Sequence, residues 1–165
     1  MNGGDEVHVS IGEVKLGTGN DVLKSSLGSC VGIALLWKSK KRYALAHCLL
    51  SESPVSSLKI NARYVSQAVP SLIALMKIRS TQDFSEVEAV LVGGSNMTAP
   101  LARDEKTLIG YQNVKAAEDY LKKYGIKVIY KDVGGDTGRK IRVFCETAEF
   151  KIDLIPRIEK VRGHG

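Results

Sequence analysis

The sequence predicts an α+β fold, a mixed α/β layered sandwich in which mixed β-sheets carry helices on the outside. Short apolar or alternating runs bounded by turn residues recur along the chain, at 31–37, 87–92 and 126–130. Runs of that length read as strands. Two longer segments, 62–76 and 114–124, space their apolar residues for one helical face. With 165 residues, 44% hydrophobic and 25% charged, the chain can bury one core without disulfide or metal staples. We expect a single domain over 1–165, with a core at about 7–155 and a frayed basic tail at 156–165.

Taken in order, Val7, Val9 and Ile11 alternate with His8 and Ser10, which predicts a strand with one buried face and a solvated His8. Residues 16–21 read as a turn-rich loop. The run 31–37 and the segment around Ala46-His47-Cys48-Leu49-Leu50 form two strands joined by the basic turn 38–42. Residues 51–57 are a polar, mobile loop close to His47. The helix 62–76 contains Pro70, which predicts a kink or a break. Residues 80–86 read as loop, and 87–92 as a strand stopped by Gly93-Gly94. Asn113 reads as the N-cap of a helix over 114–124, with Gly125 as its stop. The loop 134–139 lacks the Lys-Ser/Thr ending and following helix of a phosphate cradle. Residues 140–146 and 150–155 then form a hairpin.

The chemistry gathers at Leu27-Gly28-Ser29-Cys30-Val31. Gly28 permits a sharp bend, and Cys30 stands where the bend enters a strand. A bend of this kind leaves backbone N–H groups, here around Ser29 and Cys30, free to hold an oxyanion. His47 follows seventeen residues later. The hairpin through 38–42 brings it beside Cys30, as a thiol nucleophile and its base require. Either residue alone reads as core; the pair reads as a site. Cys48, one position on in the strand, points to the opposite face. Gly94, Ser95 and Asn96 form a simple turn or approach a substrate backbone, and are the candidates for substrate contact.

These blocks resemble the CheD family, the chemoreceptor glutamine deamidases. The likeness rests on 27–31 and 46–50 and continues in Ala62-Arg63-Tyr64-Val65, Val92-Gly93-Gly94-Ser95-Asn96-Met97, Ile109-Gly110 with Asn113-Val114, and 132–140. It implies a cysteine-hydrolase architecture shared with toxin-type deamidases. It also implies hydrolysis of protein glutamine side chains to glutamate, with Cys30 as nucleophile and His47 as proton carrier. Neither metal nor cofactor is expected. The implied substrates are the helical cytoplasmic domains of chemoreceptors (methyl-accepting chemotaxis proteins), and a CheC-type phosphatase is an implied partner. Two positions depart from the family pattern. The family typically places a histidine-orienting threonine about six residues before its cysteine, where this chain has Lys24, and a proline where it has Ser51. A lysine ammonium only donates hydrogen bonds. A serine is therefore expected to take the threonine's part: Ser26, which shares a strand face with Lys24, or failing that Ser25.

The net charge is +6, and most of the excess lies in residues 1–80, with ten basic against five acidic side chains. A basic face steers toward acidic partners or nucleic acid. Only 38–42 is dense in charge, aromatics are 6%, and no nucleic-acid motif occurs, so nucleic acid is set aside. No apolar run is long enough to insert in a membrane, and the N-terminus shows no export signal, so a cytoplasmic protein is expected. Three cysteines without Cys-x-x-Cys spacing suit reduced thiols and argue against a redox pair. The alternative is a binding module that keeps the fold and docks chemotaxis partners with little turnover.

Overall fold

The computed structural model describes residues 4–97 and 108–156. One sheet has five strands in the order β2 (Val14–Gly17), β5 (Arg42–Cys48), β4 (Val31–Trp37), β6 (Glu88–Gly93) and β7 (Lys127–Val133). The other has four, in the order β1 (Glu6–His8), β3 (Val22–Leu27), β8 (Arg139–Phe144) and β9 (Glu149–Leu154). Helices α1 (Val65–Met76) and α3 (Ile109–Lys123) pack on the five-stranded sheet, and the short α2 (Thr81–Glu86) leads into β6. Both sheets are mixed: β1–β3 and β6–β7 are parallel, the remaining pairs antiparallel. This is the layered α+β architecture that the sequence predicts.

The long apolar run of β4 has a direct cause. It is the central strand of a sheet covered on both sides, so neither face can be polar. Ile33, Leu35 and Trp37 pack toward the helices with Val69, Leu72 and Leu121, while Ala34 and Leu36 face the four-stranded sheet. β5 divides the same way: Ala44, Ala46 and Cys48 face the helices, and Tyr43 and Leu45 face the other sheet. The layer between the sheets is closed from below by Leu23, Leu27, Ile141 and Val143. Each fully buried Leu or Ile in these layers contributes about 1.5–3 kcal/mol.

Several local expectations change. The first strand ends at His8, and Ser10 and Glu13 close a tight turn that leaves Ile11 exposed rather than buried. Residues 14–17, expected in part as loop, pair with β5 as an edge strand. Residues 81–86 form α2, opened by a capping box between Ser80 and Asp83. Pro70 does not break α1; it lies on the exposed side, where the lost donor costs one surface hydrogen bond. Helix α3 starts at Ile109, so Asn113 is not its cap but a buried residue in its second turn. Arg139 opens β8 rather than closing the preceding loop.

The Gly93-Gly94 pair turns the end of β6 against the chain at Cys30. Both have positive φ, +104° and +69°, and the Gly94 N–H donates to the Cys30 carbonyl at 2.8 Å. A Cβ on Gly93 would collide with that carbonyl oxygen. Gly93→Ala should therefore destabilise the protein by at least about 1–3 kcal/mol from backbone strain alone. A urea unfolding midpoint equal to that of the unaltered protein would contradict this account of the turn.

Candidate active site

Cys30 lies one residue before β4, in the turn that leaves β3. In the antiparallel register of β4 and β5, Val31 faces Cys48 and Gly32 faces His47. Cys30 shares the side of Gly32, so it is a diagonal neighbour of His47 across the pair. Such positions are about 7–8 Å apart at Cα, within reach of a ring. Both side chains point into the layer between the sheets and are nearly covered: Cys30 is 7% exposed, His47 5%. No hydrogen bond joins the thiol to the ring among the described residues; such contacts often tighten only when substrate is bound. Cys48 points the other way, into the helix-side core.

Strand β3 faces the histidine from the opposite sheet. Its alternation buries Leu23, Ser25 and Leu27, and turns Lys24 and Ser26 to the other face. Ser25 Oγ lies 2.8 Å from His47 Nδ1 and donates to the Val9 carbonyl at 2.6 Å. His47 Nδ1 is also 3.2 Å from that carbonyl. A carbonyl oxygen only accepts, and Ser25 has one hydroxyl proton, which goes to Val9. Nδ1 must therefore carry the ring proton, donating it to Ser25 Oγ and toward Val9. Nε2 keeps its lone pair, has no partner among the described residues and retains contact with solvent. Lys24 turns outward to Glu6, with its Nζ 3.0 Å from the carboxylate. Of the two serines weighed from the sequence, the fold brings Ser25 to the histidine and Ser26 away from it.

The turn bearing Cys30 is held by its carbonyls. The Gly28 carbonyl accepts from the Ser95 N–H at 2.9 Å, that of Ser29 from Asn113 Nδ2 at 3.2 Å, and that of Cys30 from Gly94. Among the described residues nothing accepts from the N–H of Ser29 or Cys30. The chain bends at 28–30 as expected, without a positive φ at Gly28; a Cβ there would press on the Met97 side chain.

The three candidates for substrate contact separate. Ser95 is fully buried: it donates to the Thr137 carbonyl at 2.7 Å and accepts from Arg139 Nη1 at 2.8 Å. Arg139 also binds Asp132 and the Gly134 carbonyl, so this buried cation is matched and braces the Gly93–Ser95 turn from behind. Gly94 is spent on Cys30. Asn96 is half-buried at a cavity of about 280 Å³ that Tyr111, Val114, Lys131 and Val133 also line.

Burial dominates the electrostatics. It pushes the Cys30 thiol above its ordinary 9.0. It also pulls His47 below its ordinary 6.5, against the opposing hydrogen bond to Val9. Burial thus favours a thiol and a neutral imidazole as the resting pair. Cys145 is pushed up to about 12, and Cys48, fully enclosed, higher still.

Fold and site together define a layered α+β protein with a thiol and a tautomer-fixed imidazole between its sheets. The profile described as CheD chemotactic sensory transduction matches residues 49–154. A Bdellovibrio bacteriovorus protein named probable chemoreceptor glutamine deamidase CheD is 38% identical over 152 residues, covering 92% of this chain and 96% of its own. A Ruegeria protein named probable chemoreceptor glutamine deamidase CheD 2 is 37% identical, over 93% of this chain and 94% of its own. The Bacillus subtilis chemoreceptor glutamine deamidase CheD is 32% identical, over 93% and 94%. The chain belongs to the CheD family.

A neutral resting pair has a measurable signature. The alkylation rate of Cys30 by iodoacetamide should climb with pH toward a midpoint above 9.0, with Cys30 labelled ahead of Cys145 and Cys48. A plateau of Cys30 reactivity in the acid range would show a preformed thiolate–imidazolium pair instead.

Proposed function

We propose that this protein is a chemoreceptor glutamine deamidase in which Cys30 attacks, His47 moves the proton and Ser25 orients His47. One observation carries the reading: Ser25 Oγ and the Val9 carbonyl both stand at His47 Nδ1, an arrangement that favours the ring proton there and a lone pair on Nε2, on the strand beside the thiol. His47 Nε2 takes the thiol proton as sulfur bonds to the glutamine amide carbon. The N–H groups of Ser29 and Cys30 hold the oxyanion. On collapse, the C–N bond breaks and the imidazolium proton goes to the leaving nitrogen, which departs as ammonia. Water, deprotonated by His47, then attacks the thioester. Its C–S bond breaks, giving the glutamate side chain and the thiol. Family membership supports glutamines of receptor cytoplasmic domains as substrate, a CheC-type phosphatase as a docking partner, and the cytoplasm as the place of action. The burial of Cys30 and His47 favours one second reading, a module that docks such partners with its site shut and little turnover.

The test is incubation with a receptor cytoplasmic fragment, read by mass spectrometry for glutamine converted to glutamate. Cys30→Ala should abolish conversion, and His47→Ala should lower it about 10²- to 10⁴-fold. Ser25→Ala should cost about tenfold or more through misorientation of the base, whereas Lys24→Thr, on the outer face, should leave the rate unchanged. Full activity in His47→Ala would overturn the mechanism. Wild-type protein that captures a receptor or phosphatase without conversion would favour the docking module.

The base also sets a pH limb. Only neutral imidazole accepts the thiol proton, so kcat/KM should fall as pH drops through a midpoint below 6.5. A midpoint above 6.5 would contradict the neutral resting pair.

A further inference from the structure

We infer that Asn113, on a helix remote in sequence from both Cys30 and His47, is a positioning residue that sets the two reacting segments against each other. The inference rests on the deamidase reading given above.

Asn113 is fully buried in α3. A polar residue in that place must spend its hydrogen bonds inside the protein. Its Nδ2 donates to the Ser29 carbonyl at 3.2 Å and to the Leu49 carbonyl at 2.9 Å. Its Oδ1 accepts from Ser51 Oγ at 2.9 Å. Ser29 precedes Cys30 by one residue; Leu49 and Ser51 follow His47 by two and four. One amide thus clamps the turn that carries the thiol to the chain that leaves the imidazole strand.

The orientation of the amide is determined. Two carbonyls can only accept, so Nδ2 must face them, and Ser51 supplies the donor that Oδ1 then needs. Ser51 Oγ is the donor at that oxygen. In this chain it completes the clamp. β4 and β5 already fix each other's register through their ladder, but the ladder stops at Val31 and Cys48. Beyond it, Ser29–Cys30 and 49–51 leave the sheet separately. Asn113 joins them where the ladder no longer does.

The experiment compares Asn113→Ala, with the isosteric Asn113→Asp should that variant not fold, against Leu121→Ala. Leu121 is buried on the same helix in the helix-side core, about 12 Å along the axis from Asn113. Two readouts are taken on the full chain: kcat and KM on the receptor fragment, and the iodoacetamide labelling rate of each cysteine. We expect the Asn113 variant to lose about tenfold or more in kcat with KM within about twofold, because misplacement of reacting groups acts on the chemical step. We expect its Cys30 to label several-fold faster while Cys48 and Cys145 keep their rates, since only the turn is loosened. Leu121→Ala should keep kcat per folded molecule and show no selective gain at Cys30. The proposal is overturned if a folded Asn113 variant keeps kcat and Cys30 labelling within about twofold of the unaltered protein. It is also overturned if all three thiols rise together, or if Leu121→Ala gives the same selective pattern. Should the unaltered protein show no deamidation, the deamidase reading fails, and the labelling pattern still decides whether Asn113 holds the turn.

Discussion

The site depends on one contact between the two sheets: the Ser25 hydroxyl, which donates to the Val9 carbonyl and lies 2.8 Å from His47 Nδ1. Val9 follows β1, Ser25 belongs to β3 and His47 to β5, so two segments on the side of one sheet meet a ring nitrogen carried by the other. Because the carbonyl cannot donate, the proton positions follow by elimination. The nitrogen left bare is thereby chosen by the packing of the sandwich.

Around this contact, the turn bearing Cys30 is secured by neighbours distant in sequence. The Gly93-Gly94 turn, Ser95 and Asn113 each take one carbonyl of the run Gly28-Ser29-Cys30. Arg139 stiffens the Ser95 side from within the protein. Using the carbonyls in this way leaves the N–H groups of Ser29 and Cys30 without an acceptor among the described residues.

Much of this was legible in the sequence. The unbroken run 31–37 and the segment at His47 read as neighbouring strands because central strands must be apolar on both faces. Alternation gave Cys48 its opposite face correctly. The same rule, anchored on Lys24 as the family position, pointed to Ser26; anchored on the buried Leu23 and Leu27, it points to Ser25. An asparagine before an apolar stripe reads as a cap, and only the tertiary fold shows that α3 begins four residues before Asn113. Ile11, β2 and α2 were missed for a related reason. A tight turn, an edge strand and a six-residue helix have too few periodic residues to register. The Val9 carbonyl carries no side-chain signal at all.

The most direct test of the central claim reads the protons on His47 itself, by nitrogen-15 NMR of the histidine rings of the full-length protein near neutral pH. The structure predicts a neutral ring with a protonated Nδ1 and a bare Nε2, and a change of that pattern in Ser25→Ala. A ring protonated on Nε2 alone, or a doubly protonated imidazolium at neutral pH, would contradict it.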